Sequence, residues 1–134
     1  HHYLSCLYLY PMNPQPISLS GKLSLIQNYW HPYVIGELNN NHVKLAKLKG
    51  DFVWHAHENE DELFVVLKGV LHMDFRTHTT TTRAGEVLLV PKGVEHRPWT
   101  QPEEEVHLML VEPQAIKHTG DVVTEKTVHT VDWI

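Results

Sequence analysis

The chain has 134 residues, a length that suits one domain able to bury a core of its own. Its 16 acidic and 11 basic residues give a net charge of −5, which argues against nucleic acid and anionic membranes as partners, because both reward basic surfaces. The only cysteine, Cys6, lies near the start, so the rest of the chain can form neither a disulfide nor a thiolate metal site.

The first eleven residues, HHYLSCLYLYP, differ from the remainder of the chain: they begin with two histidines and contain no Asp, Glu, Lys or Arg. We interpret residues 1–11 as a tag or cloning remnant, Met12 as the native start, and 12–134 as a single domain. They lack the basic segment of a secretory signal, and no apolar run is long enough to span a membrane. A soluble, cytoplasmic protein is therefore expected.

Short strands separated by turn residues dominate the pattern from Val34 onwards. Residues 17–26 are compatible with either a helix or a strand, and Asn39–Asn41 predicts a turn. The predicted strands are Val34–Leu38, His42–Lys49, Phe52–His57, Glu62–Leu67, Val70–Phe75, Glu86–Val90 and Val106–Glu112, with weaker pieces at Val122–Val123 and Thr127–Val131. His78–Thr82 is β-branched and polar, which is consistent with an exposed strand or a loop. Many short strands with Gly and Pro between them, and no helical period over ten residues, predict an all-β sandwich or barrel.

Candidate metal ligands are concentrated between Gly50 and Gly69, in the stretch GDFVWHAHENEDELFVVLKG. Residues i and i+2 of a strand point to one face, so His55 and His57 can aim at the same point. Two imidazoles with a nearby carboxylate, Glu62, suit a transition metal. A second stretch, Gly85–His96, adds one more histidine in a turn-rich setting.

The spacing of these residues carries a family resemblance. The first stretch reads G-x4-H-x-H-x4-E-x6-G and the second reads G-x5-P-x-G-x2-H, which resemble, in this order, the two motifs of the cupin superfamily. The second departs only at its end, where Thr100 stands in place of the usual Asn. The segments EDELFVVLKG, VPKGVEHRP, VHLMLVEP and HTGD are similar to a group of compact single-domain cupins labelled mannose-6-phosphate-isomerase-like.

This resemblance implies a small antiparallel jelly-roll β-barrel with little helix and with metal ligands inside it. Carried over by position, the ligands are His55, His57, Glu62 and His96. Three neutral imidazoles and one carboxylate can hold a divalent transition metal such as Mn, Fe, Co, Ni, Cu or Zn, and they leave positions for water or substrate. Because inward side chains alternate along a barrel strand, Phe64 and Val66 are predicted to line the pocket.

Further candidates depend on strand phase, which the sequence does not settle. His107 is in phase with Met109 and Val111; if that face points inward, it could contact a ligand or carry a proton, and if not it is an ordinary hydrogen-bonded residue. Arg97 could reach an anionic substrate or pair with a nearby acid. The remaining candidates are expected to be packing residues or exposed histidines: Trp54, Trp99, His72, His78, His118 and His129.

Two functional hypotheses are consistent with these residues. The first is a metalloenzyme that acts on a small polar or aromatic molecule by dioxygenation, by isomerisation, or by hydrolysis with a metal-bound hydroxide, with Glu62 available as a base. The lack of a Lys/Arg cluster argues against a sugar-phosphate substrate. The alternative is a non-catalytic barrel that binds a metal or a small ligand. In either case a homodimer is expected, because pairing would cover exposed sheet edges.

Overall fold

The computed structural model of the chain describes residues 13–114 and 131–134. Within them, one five-residue helix precedes a series of strands that form two sheets. The elements are α1 (Leu19–Leu23), β1 (Tyr33–Leu38), β2 (Asn41–Leu48), β3 (Glu62–Lys68), β4 (Val70–Phe75), β5 (Thr79–Arg83), β6 (Val87–Val90), β7 (His96–Trp99), β8 (Val106–Pro113) and β9 (Asp132–Trp133). The predicted all-β jelly-roll barrel with little helix is confirmed.

The larger sheet has the order β6-β3-β8-β2-β1-β9 and the smaller one the order β5-β4-β7. All described strand pairs are antiparallel except β1 with β9. Strand β8 lies between β2 and β3, although it follows both of them by more than 35 residues. These long connections are what close a jelly roll, since they bring distant strands together around one interior.

Alternation along β3 and β8 creates the barrel core. Both strands have strictly alternating burial over most of their length. Phe64 and Val66 of β3 face Leu108 and Leu110 of β8 in one hydrophobic cluster. Phe64 is 5% exposed and Val66 is 1% exposed. Both side chains therefore point inward, and each contributes about 1.5–3 kcal/mol by burial. Phe64 also lines the cavity beside the candidate ligands, as predicted, whereas Val66 does not belong to the described cavity wall.

A second, smaller core lies on the opposite face of the large sheet, beneath α1. It consists of the buried side chains Leu23, Ile26, Ile35 and Leu45. The helix begins where the Ser18 hydroxyl accepts a hydrogen bond from the Gly21 N–H at 3.0 Å, an N-cap that satisfies one of the free amides of the first turn. Residues 17–26, compatible with either element from sequence, therefore contain a helix that is capped and covers this face.

The segment predicted as a strand at Phe52–His57 pairs with β7 at only two isolated positions, Asp51 with Trp99 and His55 with His96. The two pairs are four residues apart along this part of the chain and three apart along β7, so no continuous ladder forms and the strand prediction is wrong here. The regular inward–outward alternation is also absent, since Phe52 is buried together with His55.

Several sequence predictions lie outside the described residues. They are the remnant at 1–11, the HTGD segment, the strand piece Val122–Val123, most of Thr127–Val131, and the exposure of His118 and His129. Among the helices of the described part, none has the length and apolar character needed to cross a bilayer. The single-domain boundaries and the cytoplasmic location stay predictions.

Candidate metal site

The four predicted ligands come from three parts of the barrel wall. His55 and His57 lie on the connection between β2 and β3, Glu62 begins β3 and His96 begins β7. The His55 N–H donates to the His96 carbonyl at 3.0 Å and the His96 N–H donates back at 2.9 Å, which holds the two histidines side by side. One potential ligand atom from each of the four residues lies within 4.8 Å of the others, and all four side chains are buried. The structure thus brings together the residues that the motif spacing selected.

Two of the imidazoles are oriented by backbone carbonyls. Nδ1 of His55 lies 2.9 Å from the Val53 carbonyl oxygen, and Nδ1 of His96 lies 2.9 Å from the Val94 carbonyl oxygen. Because a carbonyl only accepts, each Nδ1 must carry the proton and donate it. Each Nε2 then presents a lone pair, which is the form in which histidine binds a metal.

Glu62 lies at the centre of the group. Its Oε1 is 3.2 Å from Nε2 of His57 and 3.2 Å from Nε2 of His96. Oε1 of Glu62 and Nε2 of His96 are both buried without a hydrogen-bond partner in the described part of the chain. Buried polar atoms are normally satisfied, so donors that converge without bonding one another fit a cation at their common point. The cluster is therefore compatible with a metal ion.

Electrostatics favour the metal-binding protonation states. Burial lowers the pKa of His55 to about 4, and the neighbouring His96 acts in the same direction. Burial alone would raise the pKa of Glu62, but the adjacent His57 and His96 side chains outweigh it and bring the pKa to about 2. At neutral pH, His55 is thus a neutral imidazole and Glu62 a carboxylate, which are the forms that metals bind.

A cavity of about 40 Å³ adjoins the ligands. Trp30 and Phe52 stack at its edge with ring centroids 4.5 Å apart and planes 10° from parallel, and the ring of Phe52 lies edge-on to His55. The lining residues are Trp30, Pro32, Ala46, Leu48, Phe52, His55, Glu62, Phe64, Pro98, Leu108 and Leu110. The site is polar at the ligands and apolar everywhere else on the described wall.

The structure does not bring His107 to the site. In β8 the inward face carries Val106, Leu108 and Leu110, so His107 lies on the outer face of the sheet. There its Nε2 is 2.5 Å from Oε2 of Glu105. Of the two phases that the sequence left open, the structure has the outward one, and His107 is a partner of a surface carboxylate.

The other aromatic and basic candidates also have partners away from the ligands. Arg97 forms an ion pair with Asp74 at 2.7 Å, and the Trp99 indole N–H donates to the same carboxylate at 2.9 Å. The Arg76 guanidinium lies 3.8 Å above the ring of Trp54. Both tryptophans therefore pack, as the sequence indicated, and Arg97 pairs with an acid.

Sequence reasoning missed a buried ion pair inside the barrel. Lys44 Nζ lies 3.0 Å from Glu112 Oε1, and the two residues are 6% and 1% exposed. Burial, together with the negative charge of Glu62, raises the pKa of Glu112 to about 7. The signal was present, because Glu112 is in phase with the inward leucines of β8 and Lys44 is in phase with Ala46 and Leu48 on β2.

Comparisons with known proteins agree with this architecture. A family model described as Cupin domain matches residues 41–112, which contain all four candidate ligands. A cupin-2 domain containing protein from Shewanella frigidimarina shares 44% identity with a TM-score of 0.71, over 73% of this chain and 94% of the other. A protein from Neisseria meningitidis shares 34% identity with a TM-score of 0.67, over 75% of this chain and 100% of the other.

Among curated proteins, YdbB of Bacillus subtilis is 44% identical over 66 residues. That match covers 48% of this chain and 58% of YdbB, so the chain spans little more than half the length of this relative.

Proposed function

Because the chain belongs to the cupin family, we propose that it is a metal-dependent enzyme acting on a small molecule, with a divalent transition metal (Mn, Fe, Co, Ni, Cu or Zn) held by His55, His57, Glu62 and His96. The observation that carries the proposal is the convergence of four buried donors beside a cavity. Such a donor set suits borderline metals that accept five or six ligands, which leaves room for a molecule from the cavity side. A bound metal would supply Lewis-acid polarisation of a substrate oxygen.

The residues around the site define what the protein itself contributes. Glu62 lines the cavity, and its low pKa keeps the carboxylate ionised, the form that would hold a metal. Released from the metal, the same carboxylate would be placed to accept a proton from a bound molecule, although its low pKa makes it a weak base. Phe52 and Phe64 cover the imidazoles of His55 and His96 edge-on and keep bulk water from them. These features are compatible with dioxygenation, isomerisation or hydrolysis, each of which needs an oriented substrate.

Metal analysis of the purified protein tests the proposal directly. We expect one transition metal ion per chain in the wild type and its loss in His96→Ala. The matched control is His107→Ala, which removes an imidazole from the outer face and should keep the metal. A screen of small substrates with each reconstituted metal then separates an enzyme from a metal-binding scaffold. Retention of the metal by a folded His96→Ala variant would refute the proposed ligand set.

We also propose that the protein is a homodimer, and the outer face of the large sheet supports this. On this face Leu89 of β6 lies opposite Leu63 of β3, which lies opposite Val111 of β8. In the adjacent row of side chains, Val87 lies opposite Val65. Leu89 is 65% exposed and Val87 is 57% exposed, so the row forms an apolar surface at the β6 edge. The molecular mass measured in solution should be that of a dimer for the wild type and that of a monomer for Leu89→Lys. Leu25, also a leucine and 60% exposed beside α1, provides the control, and Leu25→Lys should remain a dimer. A wild-type monomer at micromolar concentration contradicts the proposal.

A further inference from the structure

The composition of the cavity wall limits what the site can bind. Nine of the eleven described lining residues are apolar, and the two polar ones, His55 and Glu62, are candidate metal ligands. The indole N–H of Trp30 is already donated to the Lys49 carbonyl oxygen at 2.9 Å. The described wall therefore offers a bound molecule no side-chain hydrogen-bonding group beyond the ligands themselves.

The nearest buried cation does not change this conclusion. Lys44 lies inside the barrel, but its ammonium is bound to Glu112 and it is not part of the described cavity wall. Arg97 is held by Asp74 on the small sheet. A phosphate or carboxylate remote from the metal would thus enter the cavity without a positive partner, which is unfavourable in a water-poor site.

From these observations we infer that the substrate is a compact molecule with a small hydrocarbon body, branched aliphatic rather than aromatic, that carries its oxygen donors at one end. This inference rests on the proposed metal site and adds the substrate class to it. A hydroxyl on the body of the ligand would lose its water partners and gain none from the described wall. Polyhydroxylated sugars and phosphorylated metabolites are therefore disfavoured.

Size and shape are consistent with this class. A water molecule needs roughly 10–15 Å³ of cavity volume, so a cavity of about 40 Å³ accommodates only a few heavy atoms beyond the four candidate metal ligands. The stacked rings of Trp30 and Phe52 present a flat apolar surface on one side. A branched body of about four heavy atoms fits this volume and packs against such a surface.

The test compares two ligands with the same metal-binding group. The full chain is loaded with Co²⁺, and its visible absorption reports binding of 2-methylbutanohydroxamate and of 2,3-dihydroxypropanohydroxamate. The second differs from the first only by hydroxyls in place of methyls, so the bodies have equal numbers of heavy atoms. We expect the hydrocarbon ligand to bind at least about tenfold more tightly.

A variant tests whether the cavity wall causes the preference. Leu110→Gln places an amide in the wall and should reduce the preference at least threefold, whereas Leu38→Gln, at a site 55% exposed at the end of β1, should preserve it. The wild-type ligand pair decides the matter if Leu110→Gln does not fold. Equal or tighter binding of the dihydroxy ligand to the Co²⁺-loaded wild type overturns the inference and leaves the metal site standing. Failure to bind Co²⁺ refutes the proposed function, and the inference falls with it.

Discussion

Glu112→Gln should remove a loss of stability that the metal-free protein undergoes as the pH rises from 5 to 8. The carboxyl group of Glu112 is 1% exposed, and burial followed by repulsion from Glu62 raises its pKa to about 7, even though Lys44 contacts one oxygen. Two further ionisable residues lie near Glu112: His42, which is opposite it on β2, and His57 of the candidate ligand cluster. Its Oε2 has no hydrogen-bond partner in the described part of the chain. Ionisation is therefore costly in the fold.

The magnitude is set by the two pKa values. An unfolded glutamate has a pKa of 4.5, so between pH 4.5 and 7 the folded chain binds more protons than the unfolded one. Folding stability from this group is present at low pH and is lost as pH rises through this window. At about 1.4 kcal/mol per pKa unit, the loss amounts to about 3 kcal/mol by pH 8, roughly three quarters of it above pH 5. Glutamine, which cannot ionise but keeps an acceptor for Lys44, avoids this loss.

Urea unfolding of both proteins between pH 5 and pH 8, with chelator present, measures the effect as a difference in unfolding free energy. The matched control is Glu95→Gln, which removes an exposed carboxylate. The hydrogen bond and the positive charge of Arg76 lower the pKa of Glu95, and arginine stays charged throughout this range, so the contribution of Glu95 is constant across it. A difference between wild type and Glu112→Gln that does not change with pH, or that changes in the opposite direction, would refute the reasoning.

Further predictions concern acid stability, backbone strain and metal removal. In the Glu112→Gln variant, the unfolding free energy should fall by about 3 kcal/mol from pH 6.5 to pH 4. His55 has a pKa of about 4 when buried, so the unfolded chain binds a proton at this histidine at a higher pH than the folded chain does. An unfolding free energy from urea titrations that does not change over this pH range would contradict this. Gly69→Ala should lower the unfolding free energy by about 2–4 kcal/mol, because φ is +83° and the added Cβ would lie 2.6 Å from the Glu105 carbonyl oxygen. Gly85→Ala, where φ is +88° but the space is open, should lower it by only about 1 kcal/mol. Equal losses in urea titrations of the two variants would contradict the clash at Gly69. Adding metal at a hundred times its dissociation constant to wild type stripped of metal by a chelator should stabilise the protein by about 3 kcal/mol. If the thermal midpoint does not change, the folded protein has no such metal site.

The clustering of the four candidate ligands was predictable because it depends on fixed spacing and residue type. His55, His57, Glu62 and His96 occupy positions that a family motif specifies, and alternation correctly oriented Phe64. The irregular pairing before His55 was not predictable, since it is set by the register against β7, a partner 41 residues further along the chain. Local alternation carries no information about such a register.

The buried pair was missed for a different physical reason. Charged residues are rarely fully buried, so strand phase alone did not place Lys44 and Glu112 inside the barrel. Their pairing requires β2 and β8 to be neighbours, and the register that places Lys44 opposite Leu110 and His42 opposite Glu112 is a property of the closed barrel. Once the topology is known, each charge has a partner within reach, and burial of both becomes possible.

This pair should also couple metal binding to pH. Glu112 pairs with the Lys44 ammonium and also lies close enough to Glu62 for the two carboxylates to repel, so ionisation of Glu112 adds a negative charge that a divalent cation among the ligands would offset. By linkage, metal favours the ionised form of Glu112 and that form favours metal. Wild-type affinity, measured by competition with a chelating dye, should therefore increase between pH 6 and 8 more steeply than the affinity of Glu112→Gln. If affinity changes with pH to the same extent in both proteins, the charge of Glu112 does not affect metal binding. The cation would then lie further from β8 than the four candidate ligands imply.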